Sequence, residues 1–354
     1  MPKFSTGPFV DHPSRAMHSH AGIEPFQDRL HVVTCVFNPM RSLTRYKHYH
    51  TFEKHVEDAG GILYTVELSL GEREFEITSP DNPHHLQLRT WHVLWYKENL
   101  MNLAVMRLLP RGWRKVAFID ADMKFARPDW AQECLQLLEH YMVLQMYSHL
   151  QDLGPNMEPI GPMHTSYVYE YINNLVHMHL PREQRCKHNR PKKKCKICIP
   201  DYPGGAAWGC PGGAWAWRRE AFDYVGGLID WEILGSGDWR MAAALVGLVE
   251  ETLKGKGQGR YIFKSQRWQA LALKHLKKDI GYMPGLLYHY FHGAKKSRYY
   301  GDRGRIPLVN QFNPDHHLVR DNQGLWQLNE DEIEFRDAIR MYFSSRNEDA
   351  ISLN

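Results

Sequence analysis

The apolar pattern of the chain opens on a strand, a helix and a second strand. Leu30–Phe37 is a β-rich apolar run that stops at the turn signal Asn38-Pro39. Arg45–Ala59 has helical spacing, with Tyr49, Phe52 and Val56 on one face, and Gly60-Gly61 ends it. Ile62–Leu68 is the next strand. A β-α-β opening predicts an α/β fold built on a mostly parallel sheet with helices on its faces. Leu86–Thr90 reads as a third short strand, and Trp95–Leu109 as an amphipathic helix broken by Pro110 and Gly112. Val116–Ile119 is a four-residue buried strand. Asp129–Tyr147 reads as a further helix running into an apolar, strand-like stretch. Residues 150–205 are polar, Pro-rich and Lys-rich, and read as a large insertion. Gly-rich turns, tryptophans and a helix fill 206–250, and Tyr282–His292 is a late strand with alternating aromatics. Asn329–Tyr342 reads as a terminal helix, with Asn329 as N-cap and Glu332 closing a capping box. The expected organisation is an arm over 1–29, a main domain over 30–300 carrying the insertion, and an extension over 301–354.

Composition narrows the class. Hydrophobic residues make up 43% of 354, enough for a sizeable core and against a disordered chain. A net charge of +4 is too small to imply a polyanionic partner, so any basic surface is local. No apolar run reaches the ~18 residues of a membrane span. Met1–His20 lacks the apolar core of a secretory signal, which gives the expectation of a soluble, cytoplasmic protein from a bacterial or viral setting. The six cysteines are then thiols or metal ligands rather than disulfides.

Candidate chemistry sits where the buried strand ends. Asp120 and Asp122 follow Ile119 with one residue between them. Strand ends are where α/β sheets present ligands, and paired carboxylates there suit a divalent cation that also holds phosphates. An Asp-rich turn after a strand is the plain alternative. Gly212-Gly213 allows close backbone approach to a ligand, because glycine has no Cβ. Asp238 lies in the Gly-rich segment Gly235-Ser-Gly-Asp-Trp239 that opens a helix.

Asp120-Ala-Asp122 resembles the Asp-X-Asp signature of glycosyltransferases that use nucleotide-sugar donors. Together with Lys97–Asn102, Cys210–Arg219, Val225-Gly-Gly227, Gly235–Trp239 and His289–Tyr299, it resembles the family that includes beta-galactosyltransferases and phage-encoded, DNA-modifying glycosyltransferases. The resemblance spans roughly residues 30–300. It implies a glycosyltransferase-A fold with a Rossmann-like sheet. It implies a metal-dependent transferase moving a sugar from a nucleotide-diphosphate donor to an acceptor hydroxyl. Asn38, Arg89, Lys97, Asn102, Asp120, Gly212 and Gly213 are the implied donor contacts, with Lys295 and Arg298 on the diphosphate. Manganese or magnesium falls to Asp122 and His292, with Asp120 beside the metal or the ribose. His292 is preferred to His289 because a glycine follows it. Asp238 is the implied base of an inverting reaction, although the family more often has Glu-Asp where this chain has Gly237-Asp238.

A second site is suggested inside the insertion. Cys186, His188, Cys195 and Cys198 lie within 13 residues and could hold a structural zinc; free thiols are the alternative. Lys192, Lys193 and Lys194 make this loop strongly basic, which suits a phosphate backbone or simply a solvated loop. With Trp215 and Trp239 as stacking platforms, the implied acceptor is a modified base in phage DNA. A protein or surface-glycan acceptor remains open, as does a non-catalytic, zinc-stabilised nucleic-acid-binding protein. A sugar-nucleotide pyrophosphorylase is disfavoured, because residues 36–46 lack the glycines of its phosphate loop.

Overall fold

The structure, a computed structural model, describes residues 29–173, 209–253, 261–293 and 299–349. The protein is mixed α/β, with a large, mostly parallel central sheet flanked by helices. The chain runs β1 (His31–Phe37), α1 (Leu43–Asp58), β2 (Ile62–Leu70), β3 (His85–Thr90), α2 (Lys97–Arg107), β4 (Lys115–Ile119), β5 (Met123–Phe125) and α3 (Trp130–Leu137). It continues through β6 (Val143–Gln145), β7 (His149–Asp152), β8 (His164–Thr165), α4 (Tyr167–Ile172), β9 (Ala214–Arg218), α5 (Arg219–Val225) and α6 (Gly237–Leu245). A 3-10 turn (Val249–Leu253) leads to α7 (Tyr261–His275), β10 (Ile280–Tyr282) and β11 (Leu286–His289). The last elements are α8 (Tyr300–Val309), α9 (Pro314–His317), β12 (Leu318–Arg320), β13 (Trp326–Leu328) and α10 (Ile333–Ser345). No helix among the described residues is long and apolar enough to cross a membrane.

The large sheet has the order β10-β6-β9-β4-β1-β2-β3. Strands β3, β2, β1 and β4 are parallel neighbours, and β9 enters antiparallel between β4 and β6. Both faces are covered, so β1 and β4 are near-continuous apolar runs rather than alternating ones. Helix α1 packs the predicted face, with Tyr49, Phe52 and Val56 buried. It stops at Gly60, whose φ of 76° is left-handed and suits glycine. A second, four-stranded sheet, β5-β11-β7-β8, stands at the C-terminal end of β4.

The structure corrects several expectations. The helix predicted over Asp129–Tyr147 covers only Trp130–Leu137, because Val143–Gln145 belongs to the sheet. The intervening turn is held by side chains, Lys115 bonding the carbonyl of Leu135 and Arg218 that of Leu138. The segment from residue 150 is not all insertion: β7, β8 and α4 are built into the fold, and Tyr167 and Val168 are core residues. The late strand is two strands in different sheets, parted at Pro284-Gly285, where Gly285 has φ 146°. The terminal helix starts at Ile333 rather than at Asn329. Asn329 is instead drawn into a turn, its side chain on the carbonyl of His316 and its amide on that of His317. Helix α10 packs Phe335, Ile339, Tyr342 and Phe343 into the same core as the central sheet. The Cys186–Cys198 loop with Lys192, Lys193 and Lys194 lies outside the described residues, as do Lys295 and Arg298.

Candidate active site

The cleft at the C-terminal ends of β1 and β4 encloses 580 Å³, and residues from both sheets line it. Strand β4 delivers Asp120 and Asp122. Its antiparallel partner β9 brings the glycines alongside: Ile119 pairs with Ala214, so the amide of Asp120 donates to the carbonyl of Gly213 at 2.9 Å. Gly213 has φ 97° and packs on Met123 and Leu287.

Asp120 faces the first turn of α2. Lys97 Nζ lies 2.9 and 3.0 Å from its two carboxylate oxygens and 3.8 Å from Asp238 Oδ2. Burial pushes the Asp120 carboxyl up, against the pull of the Lys97 charge. Burial acts to discharge Lys97, but the charges of Asp120, Asp238 and Glu98 outweigh it and hold the ammonium. Glu98 is buried beside this group, and its carboxyl is pushed up to about 8 chiefly by desolvation.

Asp122 turns the other way, towards β11. Its carbonyl accepts the amide of Tyr290 at 2.8 Å, which ties the Asp-X-Asp turn to the end of that strand. Asp122 Oδ2 lies 3.2 Å from His292 Nε2 and 3.8 Å from His289 Nε2, and the two Nε2 atoms are 3.2 Å apart. One ligand atom from each of the three residues falls within 4.8 Å of the others. Burial works to raise the Asp122 carboxyl, yet the neighbouring His289, His292 and Arg45 side chains hold it well below the usual carboxylate range. Asp122 Oδ1 is buried with no hydrogen-bond partner among the described residues. Two imidazole nitrogens and one carboxylate, whose second oxygen is unsatisfied, fit a divalent cation.

The structure brings Asp122 and His292 together with His289. It places Asp120 on Lys97 rather than in the three-residue cluster. The sequence set His289 aside in favour of His292; the end of β11 and the loop after it are what bring both rings together. Gly212, Gly213, Lys97, Asp238, Trp239 and Asn38 all line the cleft. The Asn38 amide is engaged in its own turn, with Ser42 N–H and C=O at 2.9 and 2.8 Å. Asp238 sits in the first turn of α6, one residue after Gly237, and accepts from the amide of Trp239 at 2.7 Å. A Cβ on Gly212 would lie 2.4 Å from Asp238 Oδ2, so glycine is what leaves room for that carboxylate. The carbonyl of Gly212 is in turn anchored by the Tyr147 hydroxyl at 2.6 Å.

Three expected residues are elsewhere. Arg89 does not line the cleft: it stacks over Phe75 at 4.4 Å and bonds the carbonyls of Gly71 and Arg73. Asn102 is buried and holds the turn after α5, bonding both the amide and the carbonyl of Leu228. Trp215 is only 4% exposed in the core, its indole donating to the carbonyl of Pro211. Arg45, Arg303 and Arg346 supply the cleft with cationic side chains the sequence did not single out. Arg45 and Arg346 both bond Glu348, which burial would raise but these guanidinium groups hold far below its ordinary range.

No protein-family model matches the chain, and no curated protein sequence does. Among solved structures it is similar to a nucleotide-diphospho-sugar transferase of Desulfovibrio desulfuricans G20, at 9% identity and a TM-score of 0.31, over 88% of this chain and 97% of the other. It is also similar to the catalytic domain of Drosophila beta1,4-galactosyltransferase 7, solved with xylobiose, at 11% identity and a TM-score of 0.35, over 88% and 98%. At such TM-scores neither neighbour bears on what the cleft does.

Proposed function

We propose that this protein is a divalent-metal-dependent glycosyltransferase that moves a sugar from a nucleotide-diphosphate donor to an acceptor hydroxyl. The observation that carries this reading is the convergence of Asp122, His289 and His292 in the same cleft as Lys97, Asp238 and the Gly212-Gly213 turn. Manganese or magnesium held by those three residues would supply Lewis-acid neutralisation of the leaving diphosphate. Lys97 adds positive charge between Asp120 and Asp238. Gly212-Gly213 lets the backbone come close to the sugar. Asp238 acts as base on the acceptor hydroxyl, whose oxygen bonds to the anomeric carbon as the bond to the diphosphate breaks, with inversion. Trp239, on the cleft wall, is the acceptor platform in this reading; Trp215 is not. The acceptor in this reading is a hydroxyl compound: DNA with a modified base, a protein or a glycan.

Calorimetric titration with nucleoside diphosphates tests the donor half. Binding that requires manganese, and that Asp122→Ala removes, is the expected result. Diphosphate binding of equal strength with and without manganese would overturn it.

A further inference from the structure

The cluster of Asp122, His289 and His292 rests on a fourth side chain. Strands β7 and β11 run parallel, in a register that sets Asp152 directly beside His289. Asp152 is 7% exposed. Its Oδ1 lies 2.8 Å from His289 Nδ1, and its Oδ2 lies 3.3 Å from His164 Nε2 on β8. An ionised carboxylate can only accept, so a neutral His289 ring paired with it would carry its proton on Nδ1 and its lone pair on Nε2. That lone pair points at the place where Asp122 Oδ2 and His292 Nε2 come together. With the opposite tautomer, an N–H would occupy that space and His289 could not be a ligand.

We infer that Asp152 is a positioning residue for the cation: it fixes the tautomer and ring plane of His289 and so makes a ligand of it. The inference rests on reading Asp122, His289 and His292 as the cation site. Its effect comes through one ring, by the route through which outer carboxylates tune metal-bound histidines. His164, on the other carboxylate oxygen, limits rotation of the Asp152 group. The arrangement is set by strand register, since a slip of one residue would turn Asp152 to the opposite face of the small sheet.

The test is Asp152→Asn, whose amide can present an N–H to His289 Nδ1 and reverse the tautomer. Manganese affinity, read by calorimetry or electron paramagnetic resonance, is expected to fall about 10- to 100-fold. In metal-free protein labelled with 15N-histidine, the His289 ring, assigned with His289→Gln, is expected to carry its proton on Nδ1 in the wild type and on Nε2 in Asp152→Asn. A folded Asp152→Asn with unchanged manganese affinity would overturn the inference. A wild-type His289 protonated on Nε2 would overturn it even if the variant fails to fold. A wild type that binds no divalent cation while His289 is protonated on Nδ1 would overturn the cation site itself, leaving only a structural contact between Asp152 and the ring.

Discussion

Gly212 leaves room for Asp238, the base in the proposed reaction. The position of the absent Cβ is 2.4 Å from Asp238 Oδ2, so Gly212→Ala must displace the carboxylate or the turn. Misplacing a reacting group by about 1 Å costs on the order of 100-fold in rate. Gly212→Ala is therefore expected to lower kcat by about that factor while the melting temperature changes little, checked by turnover and thermal unfolding side by side. Glu98 makes a prediction in pH. Its folded carboxyl is raised from 4.5 to about 8, foremost by burial. The folded state then keeps a proton that the unfolded chain releases, so this group's contribution is full below 4.5 and is lost as pH rises through about 8. Glu98→Gln cannot ionise and should flatten the fall in stability across that window, measured by denaturant unfolding at several pH values. An unchanged slope would show that the Glu98 carboxyl is not held protonated by the fold.

At the scale of elements, the first helix is fastened by the end of the described chain. Asp349 accepts from the Ser42 hydroxyl and from the amides of Leu43 and Thr44, capping α1 across more than three hundred residues of sequence. Beside it, Glu348 stands between Arg45 and the buried Arg346. Removing one partner of a buried ion pair leaves charge uncompensated, so Glu348→Gln should cost about 3 kcal/mol in denaturant unfolding. Because its carboxyl is held below the ordinary range, the stabilisation from Glu348 is present above the unfolded pKa and fades as pH falls. Asp349→Ala should cost about 1 kcal/mol, as loss of a helix cap does.

The elements also show what a sequence carries and what it does not. The β1-α1-β2 opening was legible because strands covered on both faces are unbroken apolar runs, while α1 keeps a clear helical face. Strand β9 was not. Ala214-Trp-Ala-Trp alternates in size but not in polarity, since both of its faces are buried in mid-sheet. For the same reason Trp215 looked like a free platform and is a core residue. The stretch after Leu137 is apolar enough that nothing in its polarity marks where helix gives way to strand. In the cleft, Asp122, Asp238 and His292 all stand in short motifs that the sequence marks. His289, Asp152 and Arg45 needed the tertiary pairing of β11 with β7 and of α1 with the chain's end.

Over the whole molecule, two sheets divide the work of one cleft. The large sheet contributes Asp120 at the end of β4 and the glycines that enter β9. The small sheet contributes His289 and its support, with Asp122 and His292 in the loops at its edge. Residues beyond 300 close the wall with Phe343, Arg346 and Glu348. The joint between tail and sheet is tight: Gly293 has φ 82°, and a Cβ there would lie 2.4 Å from the carbonyl oxygen of Asn347. Gly293→Ala should thus push residues 346–349 off the cleft, lowering both melting temperature and nucleoside diphosphate affinity. An unaltered affinity would mean that the tail is no part of the donor wall.

The most direct measurement is donor turnover. The protein is incubated with manganese and a panel of nucleotide sugars, with hydroxymethylated DNA, protein and glycan acceptors each supplied, and released nucleoside diphosphate is quantified for wild type, Asp122→Ala and His289→Ala. Release from one donor by the wild type, lost in both folded variants, is the predicted result. Release that persists undiminished in folded Asp122→Ala, or no release by the wild type from any pairing of donor and acceptor, would contradict a transferase built on this cleft.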